Sequence, residues 1–364
     1  MAIHIEADVP LAPRTTLELG GSAQAFATVR DEATLVEALA WADARALPVV
    51  PLGGGSNVLV PDEGVAGLVL DVALSGVTQH REGERMRWTV AAGEPWDAFV
   101  AQTVAAGCVG LEGLSGIPGR VGATPIQNVG AYGQEVAETI TRVRVFDRRS
   151  AAFSWLPAAA CGFGYRDSHF KREPHAAIVV AVEFALALGT TAAVRYPELV
   201  AALGGRTQVP PHEVRAAVLR LRRGKSMVLD RDDENRRSVG SFFTNPVVDA
   251  AVAAQVVSRA MAAGVVERAE QVPRWPQPGG TVKLAAAWLI ERSGIDRGLR
   301  RGAVGVSSRH CLALVHHGGG TTAQLLALAE EIRQAVHARF GVELVLEPTC
   351  LPRRAAQPVR AAEP

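Results

Sequence analysis

Helix and strand signals interleaved along 364 residues predict a mixed fold, α+β or α/β. The length, at roughly 150 residues per domain, suggests about two domains with at least one full-sized core. Hydrophobic residues make up 48% and charged residues 21% of the chain, a globular balance that excludes disorder as the dominant state.

Residues 31–46 read as an amphipathic helix, with Leu35, Leu39 and Ala42 on one face and Pro48 beyond its end. Residues 49–52 read as a short strand running into the glycine loop 53–57, and residues 96–106 as a helix stopped by Gly107. Strands rich in β-branched residues follow at 140–147 and 177–186. Pro211 opens a helix with Val214, Val218 and Leu221 on one side, closed by Gly224. The mixed-charge run 231–237 reads as a solvated loop at a domain boundary. The stretch 273–280, PRWPQPGG, reads as a second boundary without regular structure. Thr281 then caps an expected helix ending at Gly294, with Leu284, Ala287, Trp288 and Glu291 on one face. A last helix at about 321–340 turns Leu325, Leu328, Ile332, Val336 and Phe340 inward and stops at Gly341. An expected strand at 343–346 ends at Glu347 and Pro348, and the tail after Leu351 reads as loose.

A net charge of +1 gives no bulk electrostatic argument for a polyanion, and no basic stripe with interleaved aromatics suggests nucleic acid. The start lacks a basic region followed by an apolar core, so it is no secretory signal. The longest apolar stretch, 176–188, is interrupted by Glu183 and is shorter than the ~20 residues of a membrane helix. Cysteines at 108, 161, 311 and 350 fall in no metal-clip or redox spacing and read as free thiols in a reducing compartment. These readings describe a soluble protein without a metal site.

Two glycine loops point to a ligand. PLGGGSNVLV (51–60) matches neither standard nucleotide motif, but glycines let backbone approach a ligand and successive amides can cradle a phosphate. Its alternative is a tight turn between strands. In the second loop Gly110, Gly113, Gly116, Gly119 and Gly122 recur every third residue, too few repeats for a triple helix. Two such loops suit the two phosphates of a dinucleotide. Only three of the 38 basic residues are lysine, Lys171, Lys225 and Lys283, and a lysine kept in so arginine-rich a chain suggests a need for a compact ammonium. Three other polar residues stand in unusual settings, each with an ordinary explanation. Arg166 in CGFGYRDSHFK reads also as a surface arginine stacked on Tyr165, Ser241 in VGSFFTNP as a turn serine, and Glu347 in LVLEP as a solvated strand end. His310 in SSRHCLAL reads also as a structural histidine. The residues alone reach a soluble dinucleotide or nucleotide-sugar binder.

PLGGGSN, GIPGRVGATPIQNVGAYGQE, YRDSHFK, GSFFTNP, VKLAAAWLIERSG and LEP occur in that order. Together, over about residues 14–348, they resemble the bacterial UDP-N-acetylenolpyruvoylglucosamine reductases, the MurB flavoenzymes of peptidoglycan synthesis. The resemblance implies an α+β fold: a vanillyl-alcohol-oxidase-type (PCMH) FAD-binding region at 14–190, in two subdomains divided near 75, and a C-terminal α/β substrate-binding domain at 231–344. Between them it implies a tyrosine loop and connecting helix at 191–230, as in the family's longer variant. A return strand at 345–351 carries Glu347, and 352–364 is left as a loose tail. The implied chemistry is a hydride relay from NADPH, as co-substrate, through non-covalent FAD to the enolpyruvyl C3 of UDP-N-acetylglucosamine enolpyruvate.

By motif match, Arg166 and Glu347 polarise the substrate carboxylate and Ser241 protonates C2. FAD falls to Gly53, Gly54, Gly55, Ser56, Asn57, Gly119, Gly122, Ala123, Thr124 and Gly130. The nucleotide sugar falls to Tyr132, Tyr196, Lys225, Asn245, Lys283 and His310. Two departures from the family pattern are Trp275, where the variant often has tyrosine, and His310, where it has glutamine. A cytoplasmic monomer is implied, with no nucleic-acid or membrane partner. The rivals are a flavin oxidase that passes electrons to oxygen, and a non-catalytic flavin or nucleotide-sugar sensor. Many of those oxidases anchor FAD through histidine or cysteine, which neither glycine loop contains. The sensor would have no need of Arg166, Ser241 and Glu347 together.

Overall fold

The computed structural model describes residues 3–354. A four-stranded sheet forms first, in the order Glu6–Pro10, Ser22–Val29, Val65–Val72, Val49–Leu52. Its last three strands run parallel, and the helix Glu32–Asp43 packs on it through Leu35, Ala38, Leu39 and Ala42. That helix starts where Asp31 accepts a 2.7 Å hydrogen bond from Thr34 N, a cap worth about 1 kcal/mol. An antiparallel sheet follows, in the order Ala152–Pro157, Ile140–Asp147, Ala177–Leu188, Arg85–Ala91, Val77–Glu82. The helix Trp96–Ala105 turns Trp96, Phe99 and Val100 into the core shared by the two sheets. The central strand Ala177–Leu188 is apolar on both faces, and its one carboxylate, Glu183, is matched by Arg87, Arg142 and Thr141.

The helix Pro211–Gly224 packs with Pro197–Ala202 over a small separate core of Ala192, Val194, Leu199, Val209, Val214 and Val218. The remaining chain builds two antiparallel sheets. One has the order Ser238–Ser241, Ala313–His316, Val304–Val306, Arg300–Arg301; the other is Val247–Asp249, Thr281–Leu284, Arg274–Pro276. The helix Thr322–Phe340 lies over the second core, capped by Thr321 and stopped by Gly341 at φ +72° as the periodicity predicts.

Four local expectations are corrected. Thr281 does not cap a helix: Thr281–Leu284 is the central strand of the three-stranded sheet, and the helix is the shorter Ala286–Arg292. The strand wins because β-branched Thr281 and Val282 find partners on both sides, Val247–Asp249 and Arg274–Pro276. The same pairing makes part of 273–280 regular, with Pro276 tolerated because its strand is an edge. Residues 343–346 form no strand, their ladder contact being the isolated bridge Phe243–Leu346 just beyond the strand Ser238–Ser241. The regular pairing comes later, where Thr349–Cys350 lies parallel to Val58–Leu59. The tail is also tied further than expected, since Arg354 N donates to Gly64 O at 2.9 Å. The rest of the predicted loose tail lies outside the described residues. Among the described residues no helix is long and apolar enough to cross a membrane.

Candidate active site

The two glycine loops meet each other. The first leaves the strand Val49–Leu52, and a Cβ on Gly54 would stand 2.7 Å from Gly119 Cα. Gly119, at φ +122°, would in turn drive a Cβ to 2.8 Å from Ser56 Oγ. Ser56 Oγ donates to Pro118 O at 3.0 Å and Asn57 Nδ2 to Gln127 Oε1 at 2.5 Å, so the loops are locked as one wall. That wall bounds a cavity of about 530 Å³, inside the usual size range of ligand pockets. Gly53, Gly54, Gly55, Ser56, Asn57, Gly119, Gly122, Ala123, Thr124 and Gly130 all line it, with Arg120 and Arg236 as cations on its wall.

Arg166, Ser241 and Glu347 line the same cavity, from three separate parts of the chain. Arg166 sits at a hairpin tip closed by Gly164 N to Asp167 O at 2.9 Å, and it takes φ +53°. Its Nη2 donates to Gly130 O at 2.5 Å, and its Nε stands 3.2 Å from Glu347 Oε1. Ser241 follows Gly240, whose φ of +76° makes the bulge against Ala313–His316, and buried Phe242 and Phe243 anchor the strand end behind it. The Glu347 segment runs antiparallel past the residues that follow Ser241, Glu347 N donating to Phe242 O at 3.0 Å. Its carbonyl takes a 3.4 Å bond from Asn57 Nδ2, which ties the segment to the first glycine loop. Burial pushes the Glu347 carboxyl upward, while Arg166 and then Lys171 pull it down.

The other residues expected from the sequence fall outside this cavity's lining, in two neighbouring groups. Tyr132 and Tyr196 meet edge to face at 5.5 Å, and Lys225 Nζ stands 5.9 Å from the Tyr132 ring. Tyr132 and Lys225 adjoin the cavity through their chain neighbours, since Ala131 and Ser226 line it. Burial and then Lys225 lower the His310 imidazole to about 4, so this side chain enters as a neutral ring. Burial also pushes the Tyr132 hydroxyl up to about 12. On the other side Lys283 Nζ lies 5.0 Å over the Tyr165 ring, and Asn245 Oδ1 accepts from Ala286 N at 2.9 Å.

Sequence reasoning missed several partners. Glu198 holds Lys225 Nζ at 2.6 Å and Gln127 holds Asn57, whereas Lys171, singled out in the sequence as a retained lysine, lines the cavity next to Arg166. Gln127 lies inside the GIPGRVGATPIQNVGAYGQE motif, so that motif was the available signal. Glu198 carries none, because its pairing depends on how the helix Pro197–Ala202 docks.

The site can hold a long, partly anionic cofactor along the glycine wall and a second acid-bearing ligand against Arg166. Comparison with known proteins agrees. A family model described as an FAD binding domain matches residues 23–152, and one described as the C-terminal domain of UDP-N-acetylenolpyruvoylglucosamine reductase matches residues 232–351. The UDP-N-acetylenolpyruvoylglucosamine reductase of Thermobifida fusca is 46% identical, covering 96% of this chain and 99% of its own length. That of Nocardia farcinica is 48% identical over 93% of this chain and 88% of its own. The crystal structure of the Thermus caldophilus enzyme superposes with a TM-score of 0.64 at 28% identity, covering 96% of this chain and all of that one. With both halves of the chain matched and near-full-length relatives well above 40% identity, the chain belongs to the UDP-N-acetylenolpyruvoylglucosamine reductase (MurB) family.

Proposed function

We propose that the chain reduces UDP-N-acetylglucosamine enolpyruvate to UDP-N-acetylmuramate, with NADPH as reductant and FAD as cofactor, in the making of peptidoglycan precursors. The observation that carries this is the convergence of Arg166, Ser241 and Glu347 on a cavity whose other wall is the paired glycine loops. The glycine wall fits FAD: side chains at Gly54 or Gly119 would fill the contact between the loops, and successive glycine amides along a cavity wall suit a diphosphate. Bound FAD supplies the hydride, taken from NADPH, to the enolpyruvyl group.

The chain's own residues then manage charge and proton. Negative charge grows on the substrate carboxylate as C3 gains hydride, and Arg166 offers a fixed guanidinium to meet it. The guanidinium is held by Gly130 O and Glu347, so little reorganisation is needed when that charge develops. The Glu347 carboxyl, pushed upward by burial, holds a proton at higher pH than a solvated glutamate and can share it with the substrate carboxylate. Ser241 Oγ gives its proton to C2: a hydroxyl is a weak acid, but the carbanionic carbon is a strong base. Lys225 and Tyr196 meet the diphosphate end, Tyr132 lines the pocket shared by substrate and nicotinamide, and Lys283 and Asn245 are on the sugar side.

The reading includes a cytoplasmic monomer and no nucleic-acid partner, the last supported by the balanced charge of +1. Sedimentation with and without substrate tests the monomer. The functional test is the visible spectrum under anaerobic NADPH. A yellow protein that bleaches and regains colour with the enolpyruvyl nucleotide sugar supports the reductase. Recovery only on admitting air would favour an oxidase, and failure to take up FAD would end the reading.

A further inference from the structure

Lys225 and Lys283 fall among the nucleotide-sugar residues, which leaves the third lysine, Lys171, without a role. Lys171 lines the cavity. It belongs to the short helix His169–Arg172, whose start is pinned by fully buried Ser168. Ser168 Oγ accepts from Lys171 N at 3.3 Å and donates to Ile126 O at 2.5 Å. This anchoring turns the Lys171 side chain back along the chain, and its Nζ donates to Arg166 O at 3.0 Å. Arg166 sits at φ +53°, a left-handed conformation that side-chain-bearing residues seldom take and that persists only where the surroundings over-determine it.

We propose that Lys171 is the positioning residue of the Arg166–Glu347 pair: its ammonium fixes the left-handed Arg166 backbone by its carbonyl and thereby aims the guanidinium at Glu347 and the cavity. The inference rests on reading Arg166 and Glu347 as the pair that meets the enolpyruvyl carboxylate. A compact ammonium suits the task, because one point donor must reach a backbone oxygen while leaving the neighbouring guanidinium its own fork of bonds. Lys171 also sets charge. The groups facing Glu347 are Arg166, Lys171 and the Tyr165 hydroxyl; the two cations lower its carboxyl, and burial raises it. Removing Lys171 therefore raises Glu347 further.

The test compares holoenzymes of Lys171→Met, Lys171→Gln and Lys171→Arg with the unaltered protein. Two readouts are taken: reoxidation of the NADPH-reduced enzyme by substrate across pH, and a carbon-13 NMR titration of the Glu347 carboxyl, assigned with Glu347→Gln. Lys171→Met is expected to slow reoxidation by roughly tenfold to a hundredfold, the scale of a misplaced catalytic group, with little change in substrate KM. The Glu347 titration and the matching limb of the pH profile move upward together, and Lys171→Arg returns both. Unchanged rate and titration would overturn the proposal. So would a slowed rate with an unmoved titration, which would mean only a loosened helix. Should Lys171→Met not fold, Lys171→Gln keeps a donor for the carbonyl and removes the charge, and an unmoved Glu347 titration there overturns it equally. Arg166→Lys separates the underlying reading: if that variant reoxidises at the unaltered rate, the pair itself is misassigned. If Arg166 matters and the Lys171 variants are silent, only the positioning role fails.

Discussion

Arg166 Nε and Glu347 Oε1 stand 3.2 Å apart, with side chains only 19% and 13% exposed, although one residue lies near the middle of the chain and the other close to its C-terminal end. A pair this sheltered leaves an uncompensated charge when either partner is lost. Glu347→Gln keeps the shape and removes the charge and the proton. Its expected effect is a fall in substrate-dependent reoxidation of roughly a hundredfold or more, the scale of a lost acid–base group, with reduction by NADPH retained. Stopped-flow absorbance of the two half reactions measures both. Equal slowing of the two would mean that the pair supports the cavity as a whole.

Ser241 is placed by a glycine bulge and two buried phenylalanines, a costly setting for a mere turn hydroxyl. In Ser241→Ala, NADPH is expected to bleach the flavin as before, while reoxidation by substrate falls by roughly 100- to 10,000-fold, the range of a lost general acid. Unimpaired turnover in this variant would remove Ser241 from the proton-transfer step.

What could be seen in advance follows the range of the interactions involved. The helices Glu32–Asp43 and Thr322–Phe340 are set by local caps and apolar periodicity, and both were legible. The strand Thr281–Leu284 was misread as the start of a helix because its stability comes from Val247–Asp249 and Arg274–Pro276, which local periodicity does not sense. The glycine loops were legible as loops, but their contact at Gly54 and Gly119 was not. The roles of Arg166, Ser241 and Glu347 came from motif order, since each residue alone has an ordinary explanation. Their convergence needs Glu347 to travel beside Phe242 and Asn57, a long-range path with no local signature.

The contact between the loops makes FAD retention sensitive to one methyl group. In Gly54→Ala the added Cβ would lie 2.7 Å from Gly119 Cα, where backbone must shift, so both loops move apart. The purified variant is expected to carry markedly less flavin, read as the ratio of flavin to protein absorbance. Full loading would show that the cofactor tolerates a reshaped wall.

Lys225 Nζ is held by Glu198 Oε2 at 2.6 Å, so an incoming diphosphate competes with a carboxylate for it. Lys225→Met is expected to raise substrate KM by roughly tenfold to a hundredfold, the worth of a hydrogen bond to a charged group, with a much smaller effect on flavin reduction. Glu198→Gln is expected to act oppositely and lower KM. An unchanged KM in Lys225→Met would return this lysine to a purely structural place.

His310 connects the same region to acid stability. Its pKa in the folded protein is lowered from 6.5 to about 4, by burial first and by Lys225 second. The unfolded chain therefore binds a proton at higher pH than the folded one does. Above about 6.5 both states are neutral at this ring and it has no effect on the balance. As pH falls from 6.5 toward 4 the unfolded state is favoured progressively, and stability is lost through that window. His310→Gln removes the titrating ring, so its Tm is expected to fall less steeply than that of the unaltered protein in the window, with the two curves diverging by a few degrees. Thermal melts at a series of pH values check this. Parallel curves would show that His310 is already protonated, or exposed enough to be, in the folded protein, and its part beside Lys225 would then be that of a cation.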